Sequence, residues 1–210
     1  VVFDVNGNYR ATLTVPRPLG VAVAPNGLLY VGSAVGRKNN PVYVFNPNLT
    51  SAGCLGSGAC DGFIKPNDIT VDKEGRIYVV ESDGGVSAVK IYDPSGARVA
   101  SILGSGTSRL RLPMGVAVDD STGEIYINDY PLISSGEGAR IQVFNQAGTV
   151  LRSFGSYGAE IGQILAPVDV ALDGTGRLYV SDAAQNIVNI MNASDGAVVG
   201  GLYDATKPGF

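Results

Sequence analysis

The chain has 210 residues, enough for one domain or two small ones, and 45% of them are hydrophobic, so a sizeable core is within reach. Charged residues make up only 16% and the net charge is −4, which excludes intrinsic disorder and argues against a general nucleic-acid binder, whose affinity rests on basic residues. Without a run of 18 apolar residues no membrane insertion is expected, and without histidine the commonest general base and metal ligand is missing.

Val1 stands where Met would, which reads as a processed chain or a fragment with no leader left to interpret. The first elements are Val2 to Gly7 (VFDVNG) and Tyr9 to Val15, two short apolar runs around a turn. They are expected to form a two-stranded half blade over 1–15. A block then occurs four times: Pro18 to Val31, Pro66 to Val79, Pro113 to Ile127 and Pro167 to Val180. Each copy carries G-x-[IL]-Y-[VI], at Gly27, Gly75, Gly123 and Gly176, and the prolines are 48, 47 and 54 residues apart. A second block follows each first one: Val42 to Asn46, Val89 to Asp93, Ile141 to Asn145 and Val188 to Asn192.

Pairs such as Val21/Val23, Ile69/Val71, Val116/Val118 and Val170/Leu172 alternate with the period of two that turns one strand face inward. The Gly-bearing turns between runs are hairpin turns, because glycine takes positive φ without steric cost. Each unit is therefore two hairpins, strands a-b and c-d, with the length of a propeller blade. Four-stranded sheets cannot bury both faces alone, whereas stacking them around an axis does so. The expected fold is all-β: a β-propeller of four-stranded antiparallel blades, with four repeats (16–65, 66–112, 113–166, 167–210) after the half blade.

Phe154 to Asp182 (FGSYGAEIGQILAPVDVALDGTGRLYVSD), continuing to Ile187 to Met191, closely resembles the NHL repeat of β-propeller proteins, and the other copies match it more loosely. The resemblance implies the fold strongly and the function weakly, because repeat propellers host many activities. Ala183-Ala184-Gln185-Asn186 departs from the family, where a basic or His residue often follows the strand-b Asp.

The blade count is odd: four a-b hairpins face five c-d hairpins, and Lys207-Pro208 reads as the start of another strand a. Three explanations stand: a piece of a longer chain, a five-bladed ring with one two-stranded blade, or edges filled by a neighbouring molecule through strand addition. Mismatched ends of an open arc would give head-to-tail, filament-forming contacts.

Cys54 and Cys60 lie six positions apart in a Gly/Ser-rich stretch (GCLGSGAC), and a disulfide there would imply an oxidising, extracellular or secreted setting; two free thiols are the alternative. Two cysteines without histidine fall short of a zinc site. Sequence signatures of the nucleophile elbow, P-loop, dinucleotide fold and zinc proteases are all missing.

The chemical candidates are carboxylates. Asp68 and Asp169 open strand a, where the other copies have Gly20 and Gly115, and strand b ends in Glu81, Asp129 and Asp182, against Ser33 in the first copy. Converging near the axis, they would offer calcium the hard oxygen ligands it prefers. Equally, each acid would serve as a loop cap, accepting backbone N–H bonds. The repeated Tyr30, Tyr78, Tyr126 and Tyr179 read as packing between blades, and Asn48 and Asn192 head glycosylation sequons on predicted turns. Binding is expected in the variable loops 34–41, 53–65, 129–139 and 155–166. Tyr130, Leu132 and Ile133 make 129–139 apolar for a solvent loop, which predicts a contact surface for a protein partner or a sister copy. The leading expectation is a non-enzymatic extracellular interaction or self-assembly module. Its rivals are a calcium-dependent propeller hydrolase or lactonase and the sensor domain of a larger receptor.

Overall fold

The computed structural model describes residues 1–82, 85, 87–130, 138–160 and 162–203. Apart from one 3-10 turn at Gly106–Ser108, the regular structure among them is all β. Strands β1 (Val2–Phe3) and β2 (Tyr9–Ala11) form a two-stranded hairpin. The first four-stranded sheet holds β3 (Pro18–Val23), β4 (Leu29–Ser33), β5 (Val42–Phe45) and β6 (Ser51–Cys54). The second holds β7 (Pro66–Val71), β8 (Ile77–Ser82), β9 (Ser87–Tyr92) and β10 (Arg98–Ile102). The third holds β11 (Pro113–Val118), β12 (Ile125–Asp129), β13 (Arg140–Phe144) and β14 (Val150–Phe154). A short parallel pair, β15 (Ser156–Tyr157) and β16 (Gln163–Ile164), precedes the last sheet. That sheet holds β17 (Pro167–Leu172), β18 (Arg177–Asp182), β19 (Ile187–Asn192) and β20 (Val198–Tyr203).

Strands run antiparallel and in chain order within each four-stranded sheet, and the first strands β3, β7, β11 and β17 pack one against the next. These are the blades of a β-propeller. The turn glycines explain the hairpins: Gly27, Gly75, Gly123 and Gly176 all have φ between +73° and +94°, a region that strains other residues.

The core lies between blades rather than within one. Val44, Phe63 and Ile77 belong to the cluster joining the first two blades. Tyr78, Leu110 and Val116 join the second to the third, and Tyr126, Val170 and Leu178 the third to the fourth. Simple alternation therefore understates burial inside the stack: all residues of β8 and β12 are buried, because both faces meet a neighbouring blade.

In every blade the a-b register slips just after the opening proline, between Pro18 and Val21, Pro66 and Asp68, Pro113 and Val116, and Pro167 and Asp169. Such irregularities re-aim the following side chain. Here that side chain is Asp68 or Asp169.

Candidate functional site

Strand a begins and strand b ends on one rim of the propeller, and the five acids divide there into two groups. Glu81, Asp129 and Asp182 close the b strands, and each turns back to cap the segment entering its own blade. Glu81 Oε1 accepts the Ile64 N–H at 2.5 Å, while Lys90 Nζ lies 2.7 Å from Oε2. Asp129 accepts the Arg111 and Leu112 amides at 2.8 and 2.9 Å and is held by Arg140 Nη2 at 3.0 Å and Gln142 Nε2 at 3.1 Å. Asp182 accepts the amides of Leu165, Ala166, Ala184 and Gln185 at 2.6 to 3.1 Å. All three are buried. In the first blade Ser33 reverses the polarity, its hydroxyl donating to the Pro16 carbonyl at 2.6 Å.

The second group is Asp68 and Asp169, which approach one another at the innermost strands around Gly115. Asp68 Oδ2 accepts the Val116 N–H at 2.9 Å. A Cβ on Gly115 would fall 2.5 Å from Asp169 Oδ1, and one on Gly20 would fall 2.5 Å from the Asp68 Cα. The glycines at this repeat position exist because neighbouring inner strands come too close for a side chain there. Burial, and then the charge of Asp169, push the Asp68 carboxyl up to about 6. Asp169 is raised by burial as well. Beside them lies Asn128, fully buried: its Oδ1 accepts the Gly115 N–H at 2.5 Å, and its Nδ2 has no hydrogen-bond partner among the described residues. Nothing in the sequence marks Asn128, since its repeat equivalents are Gly32, Val80 and Ser181.

The five acids thus do not converge on one point, and among the described residues no group of three or more His, Cys, Asp or Glu side chains could hold a metal ion. Calcium prefers six to eight oxygens. Asp68 and Asp169 supply too few on their own, and the other three carboxylates are occupied by amides and cations.

Cys54 and Cys60 form a disulfide. It clips the loop that leads to Phe63, which is bridged to Asn40 of the facing loop. Asn40, itself buried, accepts the Gly36 N–H at 2.7 Å through Oδ1 and donates through Nδ2 to the Ile64 carbonyl at 2.5 Å. One asparagine thereby ties together two of the loops in which the sequence places binding. Of the apolar loop residues, Tyr130 packs half-buried against the cluster between the third and fourth blades, while Leu132 and Ile133 lie outside the described residues. Tyr30, Tyr78 and Tyr126 are buried between blades. Gln185, in the segment that departs from the NHL pattern, donates to the Gly158 carbonyl at 3.0 Å and so secures the loop before the last blade.

No protein-family model matches the sequence. Among solved structures, the chain is similar to hydrazine synthase of Kuenenia stuttgartiensis, with a TM-score of 0.64 at 15% identity over 92% of this chain and 51% of that one. It is also similar to a gluconolactonase of Xanthomonas campestris, described as important in secondary glucose metabolism, with a TM-score of 0.62 at 18% identity over 89% of this chain and 61% of that one. The chain thus spans about half of the first protein and three fifths of the second. At this identity the likeness extends to the fold alone.

Proposed function

We propose that this chain is a non-enzymatic, NHL-like propeller module of an oxidising compartment, which works by docking β-structure from a protein partner or from further copies of itself onto its end faces. One observation carries the reading. At a single repeat position Ile69, Val116 and Val170 are 3, 3 and 5% exposed, whereas Val21 in the first blade is 60% exposed. Val23 beside it is 66% exposed. The β1–β2 hairpin covers this face only in part, leaving an apolar cleft of about 580 Å³ lined by Val2, Phe3, Val21, Val23 and Leu29. At the other end, Val168, Val199 and Leu202 are exposed. Apolar strand faces with unpaired edges favour association by strand addition. The disulfide supports the oxidising setting. Among the described residues no helix is long and apolar enough to cross a membrane.

Sedimentation velocity over a wide range of protein concentrations tests the reading. The expected outcome is a mass that rises with concentration, and a shift toward monomer in Val21→Asp. A single monomeric species at every concentration overturns self-assembly.

A second reading, a calcium-dependent hydrolase or lactonase that would need further oxygen ligands, is favoured by the closely placed carboxylates Asp68 and Asp169 and by the fold shared with a gluconolactonase. Calcium titration followed by calorimetry separates the two. Saturable binding that disappears in Asp68→Asn supports this second reading, and a flat titration removes it.

A further inference from the structure

We propose that the cleft between the first and second blades is a binding site for the oxyanion headgroup, phosphate or carboxylate, of a small organic molecule. The cleft, about 680 Å³, opens on the strand-b rim and is lined by Arg17, Arg37 and Lys65 together with the apolar Leu19 and Ile64, with no acidic residue among the described residues of its wall. This placement is unusual for a chain of net charge −4. Several cations elsewhere are paired instead, Arg76 with Asp72, Lys90 with Glu81, Arg140 with Asp129 and Arg152 with Glu124. Arg17, Arg37 and Lys65 make no ion pair among the described residues.

The walls are built rather than merely adjacent. Arg17 has φ +43°, a left-handed backbone that is costly for a non-glycine residue and unusual directly before a proline. Its carbonyl accepts the Ala34 N–H at 3.2 Å, fixing the strand entry to the loop that carries Arg37. Asn40 pins that loop to Ile64, as described above, and Glu81 holds the Ile64 amide from behind. The Lys65 carbonyl accepts the Ser82 N–H at 3.3 Å. Three exposed cations thus line one concavity whose backbone is held by part-buried hydrogen bonds. Their mutual repulsion is relieved by an anion, and the two guanidinium groups offer the paired donors that match an oxyanion. Leu19 and Ile64 give an apolar substituent on that anion a surface to cover.

The test is a titration of the intact chain with inorganic phosphate, phenyl phosphate and benzoate, followed by amide chemical shifts. The expected result is saturable shifts at Arg17, Ala34, Gly36 and Lys65 with at least one probe. Binding should weaken about tenfold in Arg17→Ala and in Lys65→Ala, fall with added salt, and stay unchanged in Arg177→Ala. Thermal melting of each variant verifies folding. Tighter binding of phenyl phosphate or of benzoate assigns the headgroup. Absence of saturable shifts up to about 20 mM of every probe, or equal binding by wild type and both variants, overturns the proposal.

Discussion

Val116 and Val21 have the same place in the repeat, and the same kind of side chain, but opposite surroundings. Val116 is enclosed between the second and third blades, while Val21 stands in an apolar cleft that the β1–β2 hairpin only partly roofs. The tyrosines make the same contrast at the far end. Tyr78 is buried and donates to Asp72 at 2.8 Å, whereas Tyr179 is half-buried on the outer face of the last blade, with Asp173 at 3.4 Å. Each blade is made as though it had a neighbour on both sides. Between blades the repeat residues are core, and on the two end faces the same positions are exposed.

The sharpest way to break this comparison is to put one charge at both positions. Val116→Asp should cost 4 kcal/mol or more, about enough to unfold the domain, because the charge is buried without a partner. Val21→Asp should change stability by less than about 0.5 kcal/mol while lowering association. Urea denaturation measures both, and equal losses would mean that Val21 is covered in solution by the chain itself.

The rim acids provide the next test. Asp182→Ala strips the acceptor from four amides and should cost about 3 kcal/mol, whereas Ser33→Ala, which breaks a single bond in the uncovered blade, should cost about 1 kcal/mol. Similar losses by chemical denaturation would show that the cap in the first blade carries as much as the others.

Asp68 has the opposite pH signature to a cap. Its folded carboxyl lies at about 6, above the ordinary aspartate value of 3.8, so the folded state holds this proton more tightly than the unfolded chain. Its contribution to stability is therefore fully present below about pH 3.8 and is lost as pH rises through about 6, a change of about 3 kcal/mol. Asp68→Asn should match wild type near pH 3 and exceed it by about 3 kcal/mol at pH 8, read from urea midpoints at each pH. A constant difference across that range would remove the buried-acid description.

The smallest effect concerns the disulfide. Its loop is short, so Cys54→Ser with Cys60→Ser should lower stability by about 2 kcal/mol at most, with the added amide exchange confined to residues 53–65. Loss of protection throughout the second blade would instead make the clip a keystone of the fold.

Much of this was legible because a repeat states its own geometry four times. Prolines at strand entry, glycines at the turns and alternating valines each have a local physical cause, so periodicity alone points to blades. The acids were only half legible. That Asp182 caps a loop is an ordinary property of aspartate near free amides, but that Asp68 is shifted while Glu81 is paired with a lysine depends on neighbours contributed by other strands. The alternation of Gly20 and Gly115 with Asp68 and Asp169 looked like variation among ligands. It is a steric rule, visible only once the inner strands are placed side by side. Asn128 and Asn40 carried no signal, since one buried amide among many asparagines is indistinguishable until its partners are known. The cations before the repeat proline, Arg17 and Lys65 against Leu112 and Ala166, were visible as a difference between copies but had no meaning without the cleft.

By itself, then, the order of residues determined the all-β character, the hairpins and the number of four-stranded sheets, since these follow from backbone sterics and the two-residue period of a strand. The closeness of the inner strands, the separate duties of the five acids, the convergence of three cations and the bareness of Val21 were decided in three dimensions. Each of these depends on distances between residues far apart in the chain, and those distances come from blade stacking rather than from any local preference.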